Sequence, residues 1–428
     1  MAAPVTIDVD AGRARIAAAM PASVRAICAE LSAAGHQAVA VGGAVRDALL
    51  GRPAGDWDVA TSASPDRVVA LFRRTIPTGL AHGTVTVLWG KGGVPVEVTT
   101  FRGEGAYSDA RRPDQVVFGV PLVEDLARRD FVVNAIAFDP AAGALIDPFD
   151  GVGDLRAGVL RAVGEPALRF GEDGLRIMRA VRFVATLELA LAPATEAAIA
   201  GALPSLARVS AERVCVELGK LLGARQPSRG LAVADRTGIT ALILPELSAA
   251  AEARGRRVDA AERGVRLAAL LAELAPGPAE AVLRRLKFSG DERDGVVRLL
   301  GAAVGPHLSD GGPDRVATRR LLAAVGRAHA ARLRALWQAR LAEPPEPAVA
   351  AGLGQAITHL DAIVGAGDAL AVADLAVRGA DLIAELGLTP GPAIGRILAT
   401  LLDEVLTDPA GNTRPGLLAR ARVLLPPA

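Results

Sequence analysis

The stretch that decides the fold is VGGAVRDALLGRPAGDWDVAT, residues 41–61. Near its end, Asp56 and Asp58 stand two residues apart in a segment predicted to be a β-strand. Side chains alternate between the faces of a strand, so both carboxylates are expected on one face, with Trp57 and Val59 on the other. Two carboxylates on one face repel each other unless a cation neutralises them, and Mg²⁺ is commonly held by one or two carboxylates together with substrate phosphates. The pair is therefore a candidate Mg²⁺ site.

A diglycine, Gly42 and Gly43, precedes the aspartates on a predicted strand-to-turn-to-helix connection. Glycine lets the backbone approach a polyphosphate closely, and the amides at a helix start favour anions. Taken alone, two glycines or an Asp-x-Asp sequence occur in many proteins that bind neither phosphate nor metal. Their combination, GGxVRD followed after a short loop by DxDxxT, is far more specific and points to nucleotide chemistry.

The composition indicates a long, mostly helical protein without a strong overall charge. The chain has 428 residues, of which 51% are hydrophobic and 3% aromatic, and its formal net charge is +1. This length exceeds one ordinary core, so two to four domains are expected. The balanced charge argues against coating long RNA by charge alone. Contacts with nucleic acid would have to come from local arginine clusters.

The two cysteines, Cys28 and Cys215, lie in apolar, helix-like sequence. We interpret them as buried free thiols of a reducing compartment, and we expect no zinc site. Residues 1–20 lack the basic start and long apolar run of a secretory signal, and no membrane-spanning segment is expected. These features predict a cytoplasmic protein without membrane association.

The pattern of apolar residues and turn formers predicts an α+β fold, with a mixed β-sheet and helices in a head domain followed by all-helical domains. Gly35 and Gly51 are expected to end helices, whereas Ser64 and Pro65 are expected to begin one. From about residue 168 onward the chain is predicted to be helical. The predicted helices of the head include 22–34, a short one ending at 50, and 65–73; the strands are 37–41, 56–60 and a hairpin of 84–89 with 94–99; residues 101–113 form a mobile loop.

Glu97 lies in the second strand of this hairpin, opposite to the face shared by Val94, Val96 and Val98. If that strand is a neighbour of the strand that carries the aspartates, Glu97 is a third carboxylate at the candidate metal site. The alternative is an exposed glutamate without a functional role, and the two interpretations are weighed equally.

The segment EDLARRDFVVNAIA, residues 124–137, brings Arg129, Asp130 and Asn134 within one predicted helical turn. Aspartate accepts hydrogen bonds and asparagine both donates and accepts them, which suits a ribose hydroxyl, while arginine suits phosphate. The alternative interpretation is a structural Arg–Asp network at a helix start.

The segment RFGEDGLRIMRAVRF, residues 169–183, spaces Asp173, Arg176 and Arg179 three apart on one predicted helix, with Arg182 one step further. Charge runs are commonly solvated faces, but three arginines beside one aspartate leave donors for an anionic ligand. Cytosine and adenine each present an amino donor beside a ring-nitrogen acceptor. An aspartate acceptor beside an arginine donor complements both bases and opposes guanine and uracil, which makes Asp173 and Arg176 candidates for base selection.

These segments resemble the motifs of class II tRNA nucleotidyltransferases, the CCA-adding enzymes and bacterial poly(A) polymerases of the DNA polymerase β superfamily. Five motifs occur in the expected order across residues 41–222. Two of them, IDPFDGVGDL at residues 146–155 and SAERVCVELGKLL at residues 210–222, are interpreted as structural.

The resemblance implies Mg²⁺-dependent addition of CCA to the 3′ end of tRNA, from CTP and ATP, with release of pyrophosphate. Asp56 and Asp58 would hold the metal. The RRD motif is associated with ribose recognition in this family, and EDxxR, here Glu172, Asp173 and Arg176, is thought to act as a protein template for the base. The other implied contacts are a triphosphate site at Gly42, Gly43 and Arg46, and phosphate or pocket-shaping contacts at Arg179 and Arg182.

Four domains are expected on this basis: a catalytic head (1–165), a neck with the base template (166–240), a body (241–345) and a tail (346–428) that binds tRNA. Scattered surface arginines are the default interpretation of the basic residues in the tail. No stable protein partner is implied. An HD phosphohydrolase activity is not expected, because the chain has no His-Asp dipeptide.

Several alternatives remain open. A poly(A) polymerase shares the fold and motifs, but the C-terminal sequence ARARVLLPPA lacks the basic extension usual in those enzymes. Partial enzymes that add only CC or only A are possible, and the intact loop at residues 101–113 disfavours the CC-adding type. A non-catalytic RNA-binding protein on the same head is the alternative from another class, although such a protein would need neither Asp56 nor Asp58.

Overall fold

The computed structural model describes residues 7–104, 116–248, 250–303, 312–343 and 346–425. The chain divides into two compact units, Met1–Ile243 and Leu244–Ala428. The first unit contains the β-sheet and all the motifs described above, and the described part of the second unit is helical. The finer boundaries at residues 165, 240 and 345 stay predictions.

A mixed β-sheet forms the centre of the first unit. The described strands are β1 (Ala38–Val41), β2 (Asp58–Thr61), β3 (Thr75–Gly79), β4 (Thr84–Trp89), β5 (Val94–Thr100), β6 (Arg102–Glu104), β7 (Val116–Phe118), β8 (Ala137–Asp139), β9 (Ala144–Ile146), β10 (Val159–Leu160) and β11 (Ala190–Leu191). Seven of these described strands lie in the order β3-β4-β5-β2-β1-β8-β9. Only the β2–β5 pair among them is parallel, so the predicted mixed sheet is confirmed.

Helices surround this sheet and continue beyond it within the first unit. The described α-helices are α1 (Val9–Ala19), α2 (Ala22–Ala33), α3 (Gly43–Leu49), α4 (Pro65–Leu71), α5 (Leu122–Ala127), α6 (Gly151–Ala157), α7 (Pro166–Glu172), α8 (Leu175–Leu187), α9 (Pro193–Ala207), α10 (Ala211–Leu222), α11 (Pro227–Arg236) and α12 (Ile239–Ile243). As predicted, Gly35 and Gly51 take positive φ angles of 84° and 65° just after helices. The Ser64 side chain accepts a hydrogen bond from the Arg67 amide and caps α4.

One face of the sheet is covered by α2 and α4. The strand register places Val59 beside Val98, and Val87 beside Val96, and all four side chains are buried on this face. Helix α2 contributes apolar residues at helical spacing, as predicted, and α4 packs on β4 and β5. Apolar burial at this spacing is the main reason that α2 forms and stays in place.

The opposite face of the sheet carries an apolar core and, beside it, Asp58 of the candidate site. Val39, Val41 and Ala60 lie on this face and pack in one core with Leu126 of α5 and with Val132. Asp58 shares this face, because it is paired with Val41 in the register of β1 and β2. Asp58 therefore lies at the edge of this apolar core.

A break separates α7 from α8 at Asp173 and Gly174, so the prediction of one continuous helix was wrong. Asp173 is extended, with φ −141° and ψ 105°, and its carboxylate accepts a hydrogen bond from the Leu175 amide at 3.0 Å. A Cβ atom on Gly174 would lie 2.3 Å from the carbonyl oxygen of Ser205. The backbone at the end of α9 passes so close to Gly174 that only glycine fits there, and α8 begins immediately after it at Leu175.

Two further sequence predictions need correction, and one strand was missed. β3 was not predicted, because an exposed edge strand that contains Pro77 has a weak pattern. The strand predicted at residues 56–60 begins only at Asp58, so Asp56 lies in the preceding loop. The predicted loop starts with β6, which pairs with β7, while residues 105–113 lie outside the described residues.

The second unit consists of helices with their own core. Its described α-helices are α13 (Ala251–Ala260), α14 (Arg266–Leu270), α15 (Pro276–Arg285), α16 (Gly290–Ala303), α17 (Arg315–Val325), α18 (Ala330–Leu341), α19 (Pro347–Ala366), α20 (Gly379–Leu386), α21 (Pro392–Thr407) and α22 (Arg414–Val423). Leu382, Leu401 and Val405 belong to one apolar cluster of this unit. A buried ion pair joins Arg319 to Asp368 at 2.6 Å.

Among the described residues, α19 is long and apolar enough to cross a membrane, and the bent pair of α1 and α2 passes the same test together. This differs from the expectation of no such segment, although one or two helices of this kind are weak evidence. α19 is interrupted by polar residues, and its Asp361 forms an ion pair with Arg334 of α18 at 2.7 Å. Leu353, Ala356 and Leu360 are buried in the fold. In total, 28% of the apolar window of α19 is buried within the fold.

Candidate active site

A cavity of about 490 Å³ in the first unit collects most of the predicted site residues. Seven arginines and three aspartates line it. Guanidinium groups are hydrogen-bond donors well suited to the oxygens of a polyphosphate. The lining residues are Gly42, Gly43, Arg46, Asp58, Arg128, Arg129, Asp130, Asn134, Asp173, Leu175, Arg176, Arg179, Arg182, Phe183 and Arg213. Of the predicted residues, Asp56 and Glu97 do not line the cavity.

The diglycine forms the predicted turn between β1 and α3. Gly42 has φ 80° and ψ −140°, a conformation that side chains disfavour. A Cβ atom at Gly42 would lie 3.0 Å from the guanidinium of Arg129. Glycine therefore leaves room for the partly exposed guanidinium of Arg129 at the cavity wall.

Arg46 lies on α3 and is held in place from two sides. Its guanidinium donates to the Asn134 side-chain oxygen and, at 2.9 Å, to the Asp47 carboxylate. The same group lies 5.3 Å from the centre of the Phe183 ring. Arg46 is thus fixed before any ligand enters, which lowers the entropic cost of holding a phosphate.

The strand register brings Glu97 beside Asp58. β2 and β5 are parallel neighbours with Val59 opposite Val98, so the preceding residues, Asp58 and Glu97, share the other face. Asp56 in the preceding loop and Glu97 are both exposed. Burial raises the pKa of the Asp58 carboxyl to about 6, with Glu97 and Asp56 adding to the rise and Arg129 opposing it. The negative charge here is therefore incompletely compensated by the protein.

This carboxylate group fits a divalent cation that is shared with a substrate. In the described part of the chain, no three metal-binding side chains converge into a complete site. Mg²⁺ does not need one, since it is usually bound by one or two carboxylates plus phosphate oxygens and water. Asp58, Asp56 and Glu97 together provide carboxylate oxygens that repel one another. A hard cation bound between them would stabilise their ionised forms.

Asp130 is the centre of a buried hydrogen-bond network. Its carboxylate accepts from Arg179 at 2.6 Å, from the Asn134 amide group at 3.0 Å and from the Phe131 backbone amide at 2.8 Å. Burial alone would raise the pKa of Asp130, but Arg179 and these hydrogen bonds lower it to about 2. Residues 129–131 are not α-helical, so the predicted helical turn was wrong, although Asp130 and Asn134 do meet.

The EDxxR segment presents an acceptor and a donor at the junction of α7 and α8. Arg176 donates to Glu172 at 2.6 Å and to the backbone carbonyl oxygens of Arg169 and Arg128 at 3.2 and 3.0 Å. The Asp173 carboxylate is held by Arg213 through two contacts, at 2.8 and 3.3 Å. Both polar groups thus have a fixed orientation at the cavity wall.

The arginines of α8 all have acidic partners, which differs from the expected excess of unpaired donors. Arg179 pairs with Asp130, and Arg182 pairs with Glu217 of α10 at 2.6 Å. Arg182 also lies 3.9 Å from the centre of the Phe183 ring. The partners were missed because they stand 49 and 35 residues away along the chain.

Three family models match successive parts of this chain. The family described as "Poly A polymerase head domain" matches residues 38–161, "Probable RNA and SrmB- binding site of polymerase A" matches residues 188–251, and "tRNA nucleotidyltransferase domain 2 putative" matches residues 259–421. The chain is 38% identical over 422 residues to the CCA-adding enzyme of Lactiplantibacillus plantarum, covering 95% of this chain and 97% of that enzyme. The chain belongs to the family of CCA-adding enzymes.

Two further relatives support this membership. The CCA-adding enzyme of Geobacillus stearothermophilus is 50% identical over 243 residues, which cover 57% of this chain and 59% of that enzyme. A solved structure, the Bacillus stearothermophilus CCA-adding enzyme in complex with CTP, has a TM-score of 0.73 at 35% identity and covers 94% of this chain and 98% of that one. The α+β fold and the assignment as a tRNA nucleotidyltransferase follow from this likeness.

In this CCA-adding family member, sequence reasoning missed Arg128, Phe183 and Arg213 as cavity residues. Arg213 lies in the SAERVCVELGKLL segment, which was interpreted as structural. Its place three residues after the helix start gave no hint of the contact with Asp173, 40 residues earlier. Phe183 was visible only as an apolar residue, whereas in the structure three guanidinium groups surround its ring.

Proposed function

We propose that this enzyme adds C, C and A in turn to the 3′ end of tRNA, using CTP and ATP and releasing pyrophosphate. The observation that carries the proposal is the convergence, around one cavity of about 490 Å³, of Asp58, the Gly42–Gly43 turn and the Asp173–Arg176 pair. In a nucleotide bound there, the phosphates would lie near the Gly42–Gly43 turn and the base near the Asp173–Arg176 pair. The attacking hydroxyl of the RNA would lie near Asp58.

Base selection is assigned to Asp173 and Arg176. Asp173 offers an acceptor to the amino group of cytosine or adenine, and Arg176 offers a donor to the adjacent ring nitrogen. Guanine and uracil would place a carbonyl against the carboxylate and leave buried polar groups unpaired, at a cost of about 1–3 kcal/mol each. Arg213 and Glu172 hold the two groups, so this pattern exists before the nucleotide binds.

Phosphate and ribose recognition are assigned to the other side of the cavity. Gly42 and Gly43 let the backbone approach the triphosphate, and Arg46 supplies a fixed positive charge. Arg129, Asp130 and Asn134 are proposed to recognise the ribose, while Arg179 and Arg182 contact phosphate or shape the pocket. In the free enzyme, Asp130 accepts three hydrogen bonds, so a ribose hydroxyl would share the Asn134 and Arg179 donors with it.

We propose that Asp56 and Asp58, with Glu97 beside them, hold Mg²⁺ during catalysis. When bound, Mg²⁺ lowers the pKa of an attacking hydroxyl and offsets charge on the leaving pyrophosphate. Asp58 is the best placed of the three, because it starts β2 at the cavity wall. The parallel register of β2 and β5 supports Glu97 as a third carboxylate at this position.

The cytoplasm is the proposed location. Both cysteines are free: Cys28 is buried as expected, whereas Cys215 is partly exposed. Burial, followed by the charge of Asp139, raises the pKa of the Cys28 thiol to about 12, so this thiol is unreactive. Two separate free cysteines suit a reducing compartment.

The decisive experiment measures incorporation of labelled CTP and ATP, separately and together. The substrates are tRNAs that lack CCA, lack CA or lack only the terminal A. Addition of CCA followed by a stop supports the proposal. Addition of only CC or only A makes the protein a partial enzyme, and long A tails on any RNA end make it a poly(A) polymerase. Binding of tRNA without release of pyrophosphate would leave only the non-catalytic alternative.

A further inference from the structure

A second cavity, of about 770 Å³, lies in the first unit on the other face of the sheet. It is formed by the end of α4, the following residues and the end of β4, including Phe72, Arg73, Arg74, Trp89 and Lys91. Trp89 points to the same face as Val87 and Val96, since β4 and β5 pair Trp89 with Val94 and Val87 with Val96. Asp58 and Glu97 lie on the opposite face. The cavity is therefore separate from the catalytic site.

Three positively charged side chains, those of Arg73, Arg74 and Lys91, line this second cavity. Within the described residues, neither Arg73, Arg74 nor Lys91 forms an ion pair, and all three side chains are exposed. Arg74 instead donates a long hydrogen bond of 3.4 Å to the carbonyl oxygen of Gly90, which keeps it near the turn after β4. The acid among the lining residues is Glu30. The excess of positive charge favours an anionic occupant.

An aromatic surface accompanies these charges. The rings of Phe72 and Trp89 are 6.3 Å apart at an angle of 71°, an edge-to-face arrangement that fixes the indole. Phe72 is buried, whereas Trp89 is half-buried and has surface left for a ligand. Leu71 and Leu88 extend the apolar part of the wall. A flat ring held beside unpaired cations is the combination with which proteins bind single-stranded nucleic acid.

We propose that this cavity binds a single-stranded RNA segment. One base stacks on Trp89, and the flanking phosphates contact Arg73, Arg74 and Lys91. A cavity of this size holds one or two nucleotides, and the charges around it extend the contact along the backbone. The site would hold RNA away from the reacting 3′ end. This goes beyond the proposed catalytic function and does not depend on it.

Tryptophan fluorescence can test the site directly. The chain has three tryptophans, and Trp57 and Trp337 are 8% and 0% exposed, so Trp89 is the one that a stacking base would quench. The probe is an oligouridylate of about eight nucleotides. Its base, uracil, is one that the Asp173–Arg176 pair disfavours, so binding of the probe in the catalytic cavity is not expected. We expect saturable quenching by the oligomer that is absent in Trp89→Phe. Three phosphate contacts predict roughly twentyfold weaker binding when the salt concentration rises fourfold.

Charge reversal provides the matched comparison. The double variant Arg73→Glu with Lys91→Glu should weaken binding of the oligomer at least about tenfold and flatten its salt dependence. The control Lys220→Glu with Arg225→Glu makes the same change in net charge at exposed positions of the same unit and should leave the quenching nearly unchanged. Glu30→Gln should tighten binding. Incorporation of CTP at saturating tRNA should stay within about twofold in Arg73→Glu with Lys91→Glu, because neither residue lines the catalytic cavity.

Four results would overturn the proposal. The first is an absence of quenching in the folded wild type, and the second is quenching that survives Arg73→Glu with Lys91→Glu. The third is equal loss of binding in the Lys220 and Arg225 control, which would show a general charge effect. The fourth is saturation by UMP, or by an acidic peptide, at the concentration that the RNA oligomer requires. These results are independent of whether the enzyme adds CCA.

Discussion

Asp58 and Asp130 line the same cavity, yet their environments shift their acidity in opposite directions. Burial, Glu97 and Asp56 raise the pKa of Asp58 to about 6. At Asp130 burial is outweighed by Arg179 and by hydrogen bonds, so its pKa falls to about 2. Asp130 has its counter-charge within the protein. Asp58 lacks sufficient counter-charge, which is the condition expected of a carboxylate that binds a cation together with a substrate.

The comparison separates two kinds of charged residue at one site. Arginines such as Arg176, Arg179, Arg182 and Arg213 are all paired with acids and hold one another in position. The carboxylates on the sheet have like-charged neighbours instead. Substitutions on the sheet side should therefore abolish catalysis without harming the fold, and substitutions in the paired network should change stability or selectivity.

The largest effect is expected for Asp58→Asn. It removes a negative charge beside Glu97, so the free energy of unfolding should stay the same or rise slightly. The rate of pyrophosphate release with CTP and tRNA should fall about a thousandfold or more, roughly 4 kcal/mol of transition-state stabilisation. Asp56→Asn should have the same direction of effect. Asp66→Asn, at an exposed position in the first turn of α4, serves as the control and should release pyrophosphate at the wild-type rate. Normal turnover in Asp58→Asn would refute the metal assignment.

The next effect concerns base choice. Asp173→Ala combined with Arg176→Ala removes the acceptor and the donor that distinguish C and A from G and U. The ratio of kcat/KM for CTP over UTP should fall about tenfold to a hundredfold, corresponding to about 1–3 kcal/mol. Incorporation of all four nucleotides into tRNA ends measures this ratio. If GTP and UTP are still rejected as in the wild type, the base is selected elsewhere.

Local features of the fold and site could be predicted well from the sequence. The helix α2, the β4–β5 hairpin and the turn at Gly42 all depend on residues close together in the chain, and each was confirmed. The predicted strand of Asp56 and the helix through Asp173 were wrong because tertiary contacts, not local preference, decide them. At Gly174 the deciding group is the backbone of Ser205, which no local pattern reveals.

The partners of the charged residues could not be predicted for the same reason. Arg179 and Asp130 are 49 residues apart, and Arg213 and Asp173 are 40 apart. Sequence spacing identifies which residues share a helix face, but it does not indicate which distant acid will face them. The excess of free arginines inferred from residues 169–183 was therefore an artefact of considering one helix without its neighbours.

A stability effect is expected at Asp130. Asp130→Asn keeps the shape but leaves Arg179 without its counter-charge, so the free energy of unfolding should fall by about 2 kcal/mol. Denaturant unfolding measures this, with Glu196→Gln as control. Glu196 pairs with Arg236 at 2.5 Å but lies at the surface, so the control should lose less than about 1 kcal/mol. Equal losses of unfolding free energy in both variants would show that the buried Asp130–Arg179 pair stabilises the fold no more than the surface pair does.

The same aspartate predicts a pH dependence with a definite sign. Its folded-state pKa, about 2, is below the ordinary value of about 3.9, so the unfolded chain binds the proton more readily. The contribution of Asp130 to stability is thus complete above about pH 5 and is lost as the pH falls through 4 towards 2. Asp130→Asn should remove this part of the acid destabilisation. A wild type and variant whose stabilities fall in parallel below pH 4 would contradict the assignment.

The smallest expected effect tests whether Arg213 positions Asp173 or merely stabilises α10. Arg213→Ala removes both contacts to the carboxylate, and the selectivity for CTP over UTP should fall about fivefold to tenfold. Arg213→Lys should recover only part of this selectivity, because an ammonium group cannot reproduce the two-pronged contact. Arg208→Ala, at the exposed end of α9, is the matched control. A purely structural Arg213 would lower the unfolding free energy and leave the CTP-to-UTP ratio unchanged, whereas a positioning residue changes that ratio even when both variants are fully folded at the assay temperature.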